Sequence, residues 1–114
     1  MTDWTRIQKA LEANRAVTLS QRDQLHRDLD GVIAAQADIA TDDEHDPEGA
    51  TIAYERSRLS ALVDQADTHL VDIASALDRV AAGTYGSCER CAKPIGAERL
   101  EARPTVRTCI TCAR

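Results

Sequence analysis

Residues 59–80 read LSALVDQADTHLVDIASALDRV. Within them Leu59, Val63, Ala66, Leu70, Ile73, Leu77 and Val80 recur at alternating steps of four and three. Side chains at that spacing stack along one side of an α-helix, so three heptads of it draw a narrow apolar seam. No Gly or Pro interrupts the chain between Gly49 and Gly83. Asp46 before Pro47 predicts the start, with Asp46 as N-cap and Pro47 at the first helical position. Gly83 predicts the stop. The result is a helix over 47–82.

The N-terminal part carries the same spacing less regularly. Leu25, Leu29, Val32, Gln36 and Ile39 repeat it, as do Trp4, Ile7 and Leu11 earlier. Asn14 and Thr18 weaken the seam between them, and Ser20 with Asp23 has the spacing of a capping box. The pattern therefore allows one helix over 4–40 or a break near 18–20. A long helix with one apolar stripe must bury it, so the two long segments are expected to fold back antiparallel. The fold class expected is mainly α: a long antiparallel helical hairpin of coiled-coil type over 1–82, with its turn near 41–50. Residues 83–114 contain Gly, Pro, Thr and Cys without helix-length periodicity and read as a separate small module.

Composition agrees with this architecture. The chain has 114 residues, of which Leu, Ile and Val are 22 and Ala is 19, with one Trp, two Tyr and no Phe. So little apolar volume excludes a thick sandwich or a doubly wound sheet and suits helices packed on a narrow seam. No apolar run reaches the roughly 18 residues of a membrane span, and the N-terminus lacks a signal-peptide core. A cytoplasmic protein is expected, in which four cysteines read as metal ligands or thiols rather than disulfides.

Cys88-Glu-Arg-Cys91 and Cys109-Ile-Thr-Cys112 are two Cys-x2-Cys knuckles separated by 17 residues. A two-residue gap lets a tight turn aim two thiolates at one ion, and two such turns complete a tetrahedron. One Zn2+ held by Cys88, Cys91, Cys109 and Cys112 is the expected cofactor. Four protein ligands leave no open position for water, so the ion is structural rather than catalytic. Two knuckles at finger spacing argue against a redox dithiol. Arg90, Lys93 and Arg107 lie close in sequence and are expected to help keep the thiols ionised.

Net charge is −5, but it is unevenly spread. Residues 38–48 hold six acids and no Lys or Arg, whereas 83–114 hold six bases against three acids. As a calcium loop the acidic run fails, because counting from Asp42 puts Pro47 where Gly is required and Ala53 where the bidentate Glu belongs. It reads either as a solvated, capping-rich turn or as a functional tip presenting Asp42, Asp43 and Asp46. An acidic chain is a poor non-specific DNA binder, since phosphate neutralisation drives such binding. A protein partner with a basic pocket suits the charge better. His26, His45 and His69 are dispersed, none beside a Ser or Cys nucleophile. Each glycine stands isolated, so no phosphate-binding loop exists. Trp4 reads as a packing residue. No enzyme is expected.

Gly83-Thr84-Tyr85-Gly86-x-Cys88-x2-Cys91, then Ile95, Arg99-Leu100-x-Ala102-x-Pro104 and Cys109-Ile110-x-Cys112 resemble the zinc finger of the DksA/TraR family. Leu77 ahead of Gly83 is similar to that family's approach to the finger. The resemblance covers about the last 40 residues in motif and the hairpin in architecture. It implies a transcription regulator that binds bacterial RNA polymerase and inserts its coiled-coil tip through the secondary channel, without base-specific DNA contact and without a membrane. The nucleotide ppGpp assists the best-known members. Its binding depends on contacts outside the matched motif and does not carry over.

The family tip often reads Asp-x-x-Asp-x-Ala. Here Asp46-Pro47-Glu48-Gly49-Ala50 keeps the first Asp and the Ala but has Gly49 at the second Asp, and Asp43 to Asp46 keeps the Asp spacing without the Ala. The tip residues implied are Asp42, Asp43, Asp46 and Ala50. Ala92 stands where many relatives have Gly, which implies strain in that knuckle. Only two residues follow Cys112, where longer relatives add a helix. From the residues alone, the alternative is a zinc-ribbon nucleic-acid binder using Arg90, Lys93, Arg99, Arg103 and Arg107, or an adaptor with an unrelated protein partner.

Overall fold

The computed structural model describes residues 3–39 and 47–113. Three helices follow in order: α1 Thr5–Ile39, α2 Pro47–Ala82 and α3 Ala97–Ala102. No strand occurs among the described residues; Ser87 and Pro94 form an isolated antiparallel bridge. The expected Asp46 cap and the tip residues Asp42, Asp43 and Asp46 lie outside the described residues, while Ala50 sits exposed near the start of α2.

Of the two options for the first segment, the structure has one unbroken helix. Thr18, which weakens the sequence pattern, is 5% exposed, so a polar residue occupies a seam position and the helix runs through it. The entry to α1 is set by Asp3, whose carboxylate accepts the Thr5 backbone N–H at 2.9 Å and the Thr5 hydroxyl. Those two donations hold the Asp3 carboxyl below its ordinary range.

The exit of α2 matches expectation closely. Gly83 has φ +79°. Its N–H bonds the Val80 carbonyl at 3.3 Å and the Thr84 N–H bonds the Arg79 carbonyl at 3.0 Å. This pair of bonds is a Schellman cap, which satisfies the last carbonyls and needs a left-handed residue at Gly83. Further along, the segment without helix-length periodicity carries the short helix α3 on Ala97–Ala102. That helix is too short to show periodicity and buries a single side chain, Leu100.

The chain divides into two compact units. The first comprises Met1–Ala16 and Leu70–Arg114. Its core joins Leu11 of α1, Ile73 and Ala76 of α2, and Tyr85, Cys88, Ile95, Leu100 and Cys109 from beyond α2. Trp4, Ile7, Leu77, Val80, Val106 and Cys112 pack around it. Residues 83–113 thus bury their apolar side chains largely against the helix ends.

The second unit, Val17–His69, is a pair of antiparallel helical segments. Arg22 pairs with Asp67 and Gln36 accepts from Arg56 at 2.7 Å, so residue numbers fall on α2 as they rise on α1. Leu59 and Val63 are buried, and Leu25, Leu29 and Val32 are half-buried, as the seam predicts.

Candidate metal centre

The first knuckle is shaped by a short antiparallel pairing. The Ile95 N–H donates to the Gly86 carbonyl at 2.8 Å, and the Cys88 N–H donates to the Lys93 carbonyl at 2.8 Å. Between these bonds the chain reverses through Glu89–Ala92, closed by the Ala92 N–H on the Cys88 carbonyl at 2.9 Å. Ala92 lies at φ +63°. A Cβ in that region costs about 1–2 kcal/mol, and Gly avoids it. Ala92→Gly is accordingly expected to raise the stability of the zinc-loaded protein by about 1 kcal/mol, read as a higher Cm in denaturant; an equal or lower Cm would refute the strain.

Gly86 has φ +94° and lies beneath Trp4. A Cβ built there would stand 2.8 Å from Trp4 Cζ2. The indole in turn meets the Tyr85 ring edge-on, with centroids 5.0 Å apart. Trp4 is therefore a packing residue, and Gly86→Ala, forced into both the clash and the left-handed backbone, is expected to lose about 2 kcal/mol or more of stability. Thermal unfolding checks it.

The second knuckle is carried on a stretch held by its carbonyls. Tyr85 OH donates to Pro104 O at 2.8 Å, Arg99 Nε to Thr108 O at 3.0 Å, and Arg79 to Thr105 O at 3.5 Å. The Glu89 N–H reaches the Arg107 carbonyl at 2.9 Å and ties the two knuckles together. Burial pushes the Tyr85 phenol up and the Arg79 guanidinium down from their usual ranges. These braces were not legible as functional residues, because each works through a backbone carbonyl that no side-chain pattern records.

The knuckles bring the sulfurs of Cys88, Cys91, Cys109 and Cys112 all within 4.8 Å of one another. Cys91 and Cys109 Sγ are 3.7 Å apart. A tetrahedron with Zn–S bonds of about 2.3 Å has S···S edges of about 3.8 Å. Cys88 and Cys109 are buried, Cys112 is half-buried and Cys91 is exposed.

Charge also fits a cation. Donation from the Cys109 backbone N–H leads in drawing the Cys88 thiol down to about 6, and the Cys112 N–H does the same for Cys109. Cys112 is pushed up to about 12, chiefly by its hydrogen bond with the Cys109 sulfur. Four thiolates at this spacing repel one another unless a cation sits among them. The leading donors that favour ionisation are backbone N–H groups, and Arg90 takes part through its own N–H, 3.4 Å from Cys88 Sγ. Arg107 instead faces Asp72 at 3.4 Å, and Arg90 donates to the Cys112 carbonyl at 3.4 Å. The donor set fits one structural Zn2+, which when bound supplies a crosslink between the knuckles.

The model of the prokaryotic dksA/traR C4-type zinc finger matches residues 83–114. This finger belongs to the DksA/TraR family. The DksA/TraR match extends past the finger in individual relatives. The chain is 42% identical over 71 residues to the uncharacterized protein YteA of Bacillus subtilis (strain 168), covering 62% of this chain and 30% of YteA. It is 39% identical over 69 residues to the RNA polymerase-binding transcription factor DksA of Caulobacter vibrioides (strain NA1000 / CB15N), covering 60% of this chain and 44% of that protein. The matched part thus spans less than half the length of these relatives. Transcription factor DksA2 from Pseudomonas aeruginosa has a similar structure, with a TM-score of 0.55, 28% identity, and coverage of 97% of this chain and 86% of that one. Residues 83–114 carry a dksA/traR-type C4 zinc finger, and the chain is similar in sequence and in fold to DksA transcription factors. No described helix is long and apolar enough to cross a membrane.

Proposed function

We propose that this protein is a non-enzymatic, cytoplasmic transcription regulator that binds bacterial RNA polymerase and directs its acidic tip, with Asp42, Asp43, Asp46 and Ala50, into the secondary channel. The observation that carries the reading is the 39% identity over 69 residues to a DksA named as RNA polymerase-binding. Charge supports it. Val17–His69 hold twelve acidic and four basic residues, a formal charge of −8, whereas Met1–Ala16 with Leu70–Arg114 hold seven acidic and ten basic, +3. A unit so acidic suits a cavity lined by basic groups and is repelled by bare nucleic acid.

The alternative of a nucleic-acid-binding ribbon is weakened by how its arginines are used. Of the five bases it needs, Arg90 and Arg99 donate to backbone carbonyls and Arg107 faces Asp72. Immobilised protein is expected to retain purified core RNA polymerase, and to show no steeply salt-dependent binding to duplex DNA. Failure to retain polymerase, with salt-sensitive DNA binding in its place, would reverse the assignment.

A further inference from the structure

Each knuckle keeps one sulfur inside and turns the other towards water. Cys88 and Cys109 are buried, whereas Cys91 is exposed and Cys112 half-buried. A competing ligand therefore reaches the donor set by way of Cys91 and Cys112. The first knuckle is the easier one to open, because its turn ends on the left-handed Ala92.

Arg90 spans that outward edge. It directly precedes Cys91, and its backbone N–H lies 3.4 Å from Cys88 Sγ. Its guanidinium crosses to the second knuckle and donates from Nη1 to the Cys112 carbonyl at 3.4 Å, 22 positions away in sequence. One residue thus touches a ligand of each knuckle. Arg99 and Arg107 make no such bridge: Arg99 reaches Thr108 O from α3, and Arg107 faces Asp72 of α2. A second tie between the knuckles, the Glu89 N–H on the Arg107 carbonyl at 2.9 Å, is made by backbone alone. That bond persists whatever side chain stands at position 90, so the knuckles keep their register without the guanidinium.

We infer that Arg90 is a positioning residue that straps the outward edge of the metal centre and sets how long zinc stays bound. Groups that hold metal ligands in place change metal affinity by roughly 10–100-fold when they are removed. The strap must let go before a competitor can enter between Cys91 and Cys112, so its loss should show in the rate of zinc release. The same bond is a minor part of a unit whose core holds Leu11, Ile73 and Leu100, so the packing of that unit should not change.

The zinc-loaded full chain is mixed with an excess of the chromogenic chelator 4-(2-pyridylazo)resorcinol, and the transfer of zinc is followed by absorbance. Arg90→Met keeps the aliphatic stem and loses every donor, and should release zinc about tenfold faster than wild type. Arg90→Lys keeps a charged donor and should stay within about threefold of wild type. Arg6→Met is the control, since it deletes an exposed ion pair with Glu101 in the same unit and should release zinc as wild type does. Near-ultraviolet dichroism of Trp4 should be the same in all of these proteins. Release from Arg90→Met at the wild-type rate overturns the inference. Equal acceleration in Arg6→Met also overturns it, because the unit as a whole would then have loosened. Arg90→Lys as fast as Arg90→Met overturns it too, because the donated bond would then not be what retains the ion. Altered dichroism in Arg90→Met would assign the residue to the fold instead.

Discussion

Chelating the metal, or replacing Cys109 by Ser, is expected to dissolve the packing of the first unit while the helical pair of the second persists. A structural zinc contributes roughly 10 kcal/mol or more to the folding of small fingers, which exceeds the whole stability of many small domains. In this chain Cys88 and Cys109 are members of the same buried cluster as Leu11, Ile73 and Leu100, so losing the ion opens that core as well as the knuckles. Trp4, the one tryptophan, packs on Tyr85 and Gly86 and reports the event directly. Its fluorescence should shift to the red and its near-ultraviolet dichroism should vanish on chelation. Far-ultraviolet dichroism should keep much of its helical amplitude, because Leu59, Val63 and the Arg22–Asp67 pair belong to the second unit and do not touch the metal site. Metal analysis of untreated protein should give one zinc per chain. Complete loss of helix on chelation would show that the second unit does not stand without the first.

Neutralising the tip is expected to abolish the effect on transcription while leaving binding to polymerase near normal. The proposed affinity comes mostly from the finger and the hairpin base, since a slender tip buries little surface. The tip's carboxylates would act near a basic, metal-containing catalytic region. Asp46 is also the expected cap of α2, and Asn caps about as well as Asp without the charge. Asp46→Asn therefore separates the two roles: a cap alone predicts unchanged stability and unchanged activity, whereas a functional carboxylate predicts unchanged stability and lost activity. The triple change of Asp42, Asp43 and Asp46 to Asn extends the test to the whole run. Wild-type output from both variants in an in vitro transcription assay, at protein concentrations that saturate polymerase, would end the tip proposal.

What could be read from the residues was whatever repeats locally. The four-three spacing from Leu59 to Val80 is satisfied within a few residues at a time, and the structure buries or half-buries each of its members. Gly83 and the two Cys-x2-Cys knuckles are local signals too, each encoding one turn. Ala92, anticipated as strained from comparison with a glycine-bearing family, is indeed left-handed. The first helix resisted because Thr18 is polar and yet buried, which breaks an apolar pattern without breaking the helix. α3 was invisible because six residues and one buried Leu cannot display a period. The shared core was invisible for a different reason: nothing near Leu11 in sequence announces that its neighbours come from the other end of the chain.

That last feature orders events in time. Arg6 and Glu101 form an ion pair across 95 positions, and Leu11 shares its core with Leu100 and Cys109. The core around Leu11, which Ile73 and Ala76 of α2 begin to cover, is therefore complete only after Leu100 and Cys109 have been made. The residues of the helical pair, by contrast, are all present once His69 has been made, and their turn-to-turn contacts are quick to form. Pairing them first draws Ala16 and Leu70 together and shortens the loop that the finger must close, which lowers the entropy cost of the later step. The metal then acts as a latch, held once Cys112 completes the set of four sulfurs. Until that moment Leu11 lacks the part of its cover that Tyr85, Leu100 and Cys109 provide.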